Sequence, residues 1–133
     1  MNVQAFYRTV MKTSGDDRRD AAKRATAAVF HALRDRLTPE ESDQVVDQLP
    51  AELKEVWVAG EKEDRRPAKL HRDEFFQRVQ AELRLPSPRE AHWITLAVFA
   101  ALKEQLSPGE AGDVLAQLPK DLKEVWVEAQ AQV

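Results

Sequence analysis

Three histidines, His31, His71 and His92, are the first candidates for a metal centre or an acid–base catalyst. Helical di-metal sites place a Glu-x-x-His pair on each of two helices and add two further glutamates. No Glu-x-x-His occurs in this chain, and His71 and Glu74 have the three-residue interval only in the reverse order. The histidines are therefore expected at solvated or edge positions, with no metal ligand and no cofactor-binding residue assigned. A general acid needs a carboxyl group whose surroundings raise its pKa. The carboxylates here fall by pattern at helix caps or on wet faces, so no catalytic residue is assigned either. Ser87 and Ser107 each precede a proline and read as helix caps; with no base in a recognised arrangement beside them, neither is a nucleophile. The chain has no cysteine, which excludes disulfides, thiolate chemistry and cysteine zinc sites together. Its four glycines, Gly15, Gly60, Gly109 and Gly112, are scattered, so no phosphate-cradling loop is present.

Two basic clusters could meet a phosphate backbone or an acidic partner: Arg18, Arg19, Lys23 and Arg24, and then Arg65, Arg66, Lys69 and Arg72. The first is interleaved with Asp16, Asp17 and Asp20, the usual composition of a solvated helix face. The net charge of -3 adds no overall attraction for nucleic acid, which is not an expected partner. Composition is 43% hydrophobic and 32% charged, which excludes a disordered chain and fits a soluble helical one. No apolar run approaches the ~20 residues that span a bilayer, so no membrane partner is expected. The opening MNVQAFYRTV lacks the basic start and apolar core of a secretory signal, and a cytoplasmic location is expected.

The elements that must position these residues come from a duplication. LPAELKEVWV (Leu49 to Val58) returns as LPKDLKEVWV (Leu118 to Val127), and a shift of 69 residues aligns Phe6 with Phe75, Phe30 with Phe99 and Pro39 with Pro108 without a gap. About half the aligned positions from Asp20 to Val58 are identical. Each copy reads as four helices. The first spans about Val3 to Thr13, with Phe6, Tyr7 and Val10 as its stripe, and restarts in the second copy with Phe75, Phe76, Val79 and Leu83. The second, about Arg18 to Leu37, carries Ala22, Thr26, Val29, Phe30, Leu33 and Leu37 on one face, answered by Ala91, Thr95, Val98, Phe99, Leu102 and Leu106. Its expected N-caps are Asp17 in the first copy and Ser87, boxed with Glu90, in the second. Thr38-Pro39-x-Glu41 and Ser107-Pro108-x-Glu110 write capping boxes for a short third helix, and Pro50 or Pro119 restarts the chain as the fourth. The charged stretch Ala59 to Leu70 reads as a surface linker. The expected fold is all-α: an internally duplicated helical bundle, about four helices per repeat, pseudo-two-fold, with a single shared core. The expected domain is the whole of 1–133, in two repeats of about 2–64 and 71–133.

Trp93 breaks the repeat, because the equivalent position holds Arg24. With Leu96 and Ala100 it makes a second stripe beside the core stripe, opposite Arg24, Ala27 and His31 of the other copy. Two readings stand: a seam between the copies, or a surface for a protein partner or a second copy of the chain.

The DEFFQRV opening at Asp73 to Val79, the A-V-x-x-x-L long helix, L-S-x-G-E at Leu106 to Glu110, D-V-x-A-Q-L-P at Asp113 to Pro119 and the repeat itself together resemble the bacterial family catalogued as domain of unknown function 2267. The resemblance covers nearly the whole chain. It implies an all-helical fold and carries no activity, so no catalytic residue transfers. Glu40 and Asp43 depart from the pattern where the second copy has Gly109 and Gly112.

The expected function is that of a non-enzymatic interaction or structural module, with Trp93, Leu96 and Ala100 as its interaction residues. The alternative is an enzyme or small-ligand binder with a site between the repeats. Nucleic-acid binding through the arginine clusters is the weaker alternative.

Overall fold

Local chemistry at the chain's punctuation points sets where its helices begin. In the computed structural model, which describes residues 2–130, the Asn2 side chain accepts a bond from Ala5 N at 2.8 Å and opens α1 (Val3–Ser14). Gly15 closes it with φ 76°, a left-handed conformation that a Cβ would strain, and its N–H returns to Met11 O. After α2 (Arg19–Arg36), Thr38 caps α3 (Pro39–Asp47) by accepting from Glu41 N. Pro50 starts α4 (Ala51–Val58). The second series is α5 (Arg72–Leu83), α6 (Pro88–Gln105), α7 (Pro108–Ala116), capped by Ser107 accepting from Glu110 N, and α8 (Lys120–Glu128). The fold is all-helical, eight helices and no strand among the described residues.

Two expected caps do not form. Asp17 is outside the cap of α2, whose N-cap is Arg18 without a side-chain bond; Asp16 instead accepts from Arg18 N at 3.0 Å and pairs with its guanidinium at 2.8 Å. Ser87 does hold the N-cap position of α6, but its side chain makes no cap bond and the box with Glu90 is absent. His71 and Glu74 explain their spacing as a cap: Glu74 accepts from His71 N at 3.0 Å at the start of α5.

The first helix of each series lies on the long helix of the other, α1 against α6 and α5 against α2. Polar bonds fix both crossings: Thr9 donates to Glu104 at 2.9 Å, and Arg78 pairs with Asp35 at 2.7 Å. Burial works to raise the Asp35 pKa, but the bonds from Arg34 and Arg78 outweigh it and hold the carboxyl below its usual range. The buried side chains form one hydrophobic cluster drawn from all eight helices. Within it, Phe6, Phe30 and Trp57 stack edge to face with centroids 5.7 and 5.1 Å apart, and Phe75, Phe99 and Trp126 do so at 5.7 and 5.0 Å.

The stretch from Ala59 to Leu70 is more than a surface linker. Arg65 donates to the Leu37 carbonyl at 2.6 Å and pairs with Glu61 at 2.7 Å, Ala68 N donates to Asp35 O, and Leu70 is buried. It straps the C-terminal end of α2, satisfying a carbonyl the helix itself cannot.

Candidate functional site

Trp93 stands 56% exposed on α6, a high value for the largest apolar side chain in the alphabet. Its indole stacks on His92, whose ring stacks on Phe76 with centroids 4.8 Å apart, so the exposed ring is anchored to a buried one. Beside it lies a cleft of about 300 Å³ lined by residues of α1, α2, α5 and α6. Its floor is apolar, with Val10, Ala25, Leu83, Ile94 and Ala97. Arg24, the residue at the position equivalent to Trp93, lines the same cleft. Leu96 and Ala100 do not join Trp93 at the surface: both are buried in the hydrophobic cluster. The stripe expected from sequence is thus divided, Trp93 outside and its two companions inside.

A second arrangement sits at the junction of α3 and α7. Gln48, at the C-terminal end of α3, accepts from Ser107 N at 2.7 Å and donates to Ser107 Oγ at 3.2 Å; Gln117, at the end of α7, does the same to Thr38 at 2.9 and 3.2 Å. Each end cap therefore grips the opposite start cap, which sets the two helices antiparallel. Between them Glu41 and Glu110 bury their carboxyls, 8% and 6% exposed. Burial, then the Glu41 carboxylate beside it, then Asp113, push the Glu110 pKa up to about 8. The expectation that every carboxylate sits at a cap or on a wet face is corrected here. Both glutamates do supply the N–H of a capping box, yet their side chains turn inward instead of back to the cap. Glu41, Glu110 and Asp113 are also the group among the described residues able to offer three ligand oxygens to one metal ion.

The histidines are dispersed, as their spacing indicated. His31 Nε2 donates to the Val56 carbonyl at 2.9 Å with Nδ1 3.3 Å from Glu82, His92 Nε2 lies 3.3 Å from Glu128, and His71 Nδ1 lies 3.6 Å from Asp121. Tyr7 stays protonated at neutral pH and cannot serve as a base, because burial and then the Glu52 carboxylate push its phenol up to about 12. Of the basic clusters, Arg18 is held by Asp16, Arg19 and Lys23 lie over the Tyr7 ring at 5.5 and 6.0 Å, and Arg65 is spent on the strap. No described helix is long and apolar enough to cross a membrane.

The family model described as Uncharacterized conserved protein (DUF2267) matches residues 3–125, all of α1 to α7 and part of α8. The chain belongs to this family. A comparison with curated proteins gives no significant match. Both arrangements fall inside the DUF2267 match, and the carboxyl pair is the one that sequence reasoning missed. A signal was present: Glu41 and Glu110 are identical across the repeat while Glu40/Gly109, Ser42/Ala111 and Asp43/Gly112 around them differ.

Proposed function

We propose that this DUF2267 chain is a non-enzymatic helical interaction module whose docking point is the cleft between Trp93 and Arg24. The module is built as two copies of a four-helix unit, about residues 2–64 and 71–133, related by an approximate two-fold axis, and works in the bacterial cytoplasm. The duplicated build is supported by the ungapped 69-residue repeat, the equal lengths of α1 and α5, α2 and α6, and α3 and α7, and the reciprocal grips of Gln48 and Gln117.

One observation carries the docking reading: a tryptophan 56% exposed in the wall of an apolar cleft. Tryptophan and arginine are the side chains most often found as interface anchors. Arg24 forms no ion pair within 4 Å among the described residues, although its charge acts on Asp16 of the same cleft, so the cleft suits a partner helix that offers a large apolar side chain. A small ligand is the second reading, because the walls come from both halves and about 300 Å³ is the lower end of the range for ligand pockets. The arginine clusters support nucleic-acid binding least, given their internal pairing.

A photo-crosslinking residue at Glu90, which also lines the cleft, tests this in cells, with exposed Val127 as the control position. The module reading expects an adduct to one protein from position 90, none from position 127, and loss of the adduct in Trp93→Arg. A small molecule retained in native mass spectra and lost in Trp93→Arg favours the ligand reading. Equal adducts from both positions, unchanged by Trp93→Arg, would sink the cleft as a site.

A further inference from the structure

We propose that Glu41, Glu110 and Asp113 bind a hard divalent cation, calcium or manganese, that ties α3 to α7. The three residues each present a carboxylate oxygen, and these oxygens lie within 4.8 Å of one another. Two of the carboxyls are more than nine-tenths buried, and Glu41 Oε2 and Glu110 Oε2 have no hydrogen-bond partner. Among the described residues no lysine, arginine or histidine pairs with any of the three. Buried carboxylates without a cationic partner need another source of positive charge, which is a proton or a metal ion.

Each glutamate lies in the first turn of its own helix, whose positive end favours a carboxylate but supplies only about half an elementary charge. A site built wholly of carboxylate oxygens suits hard divalent cations, and calcium and manganese shed water more readily than magnesium. Asp113 is exposed, and nothing lies within 4 Å of where a Cβ would sit on Gly109 or Gly112, so the approach is open and water can complete the coordination shell.

The test is calorimetric titration of calcium, manganese and magnesium chloride into the metal-stripped full chain near neutral pH, with thermal melts alongside. One calcium or manganese ion should bind per chain and raise the melting temperature; magnesium, which dehydrates reluctantly, should bind more weakly. Loss of an outer partner costs a metal site roughly 10–100-fold in affinity, so Glu110→Gln should lose at least that. Asp113→Asn, at an exposed position that keeps the fold, should weaken binding with its melt unchanged in EDTA. No uptake at about 1 mM of either ion, the weak end of protein calcium sites, would overturn the proposal and leave a shared proton as the sole counter-charge. Uptake that both variants leave unchanged would overturn it equally, by placing the ion elsewhere.

Discussion

Ser42 and Trp57 share a buried hydrogen bond that the second half cannot make: Trp57 Nε1 donates to Ser42 Oγ at 2.8 Å, while the residue 69 positions after Ser42 is Ala111. Both indoles are buried at one end of matched aromatic triples centred on Phe30 and Phe99, so their packing is alike and their polar environment is not. Ser42→Ala should cost about 1–3 kcal/mol, the penalty of a buried donor left without its acceptor. Trp57→Ala and Trp126→Ala should each cost about 3–5 kcal/mol. Urea unfolding of the three variants measures this; a loss below about 0.5 kcal/mol in Ser42→Ala would show that the indole N–H finds another partner.

Arg34 and Lys103 perform one task with different chemistry. Arg34 donates to the Trp57 and Ala59 carbonyls at 2.8 Å, and Lys103 to the Trp126 and Ala129 carbonyls at 2.8 and 2.9 Å, so each cation closes the C-terminal end of α4 or α8. Arg34→Lys is therefore expected to keep most of the stability, losing less than about 1.5 kcal/mol, whereas Arg34→Ala should lose roughly 3 kcal/mol or more with two buried charge-assisted bonds gone. Equal losses in the two variants would mean that Arg34 acts through its bond to Asp35 and not through the helix end.

The Glu41–Glu110 pair predicts stability that declines toward alkaline pH. Glu110 titrates near 8 in the folded chain and near 4.5 in the unfolded one, so between those values the folded state holds more protons. Stability must then fall as pH rises through that window. With EDTA present, the melting temperature should drop by several degrees from pH 5 to 8.5, and Glu110→Gln should remove most of that slope. Asp35 acts in the opposite sense at acid pH: its depressed carboxyl contributes above its unfolded pKa and loses that contribution as pH falls. A Glu110→Gln variant as pH-dependent as the parent would refute the assignment.

Helix order and much of the core were legible in the chain because the cues are local. Thr38-Pro39 and Ser107-Pro108 start helices with atoms three residues apart, and the stripes of Phe30, Leu33, Phe99 and Leu102 need only helical spacing. Asp17 and Ser87 misled because a cap needs a particular turn as well as a suitable side chain: Asp17 stands one residue before the N-cap of α2, and Ser87 holds the N-cap of α6 without a side-chain bond. The carboxyl pair was hidden for a different reason. A glutamate at the third helical position is fully explained by capping, so nothing local reveals that α3 and α7 meet and turn two of them inward. Trp93 was visible as an anomaly against Arg24, yet the sequence left seam and surface open, because Leu96 and Ala100 on the same stripe are buried.

Whether Trp93 binds or merely packs is decided by the affinity of the crosslinked partner for Trp93→Arg against the parent chain, with urea unfolding run on the same two proteins. The account predicts an unfolding free energy within about 0.5 kcal/mol of the parent, as for an exposed position, together with a binding loss of about 2 kcal/mol or more, as for an interface anchor. An unchanged affinity would contradict it. So would a fold weakened by several kcal/mol, the result of forcing an unpaired arginine into a buried seam.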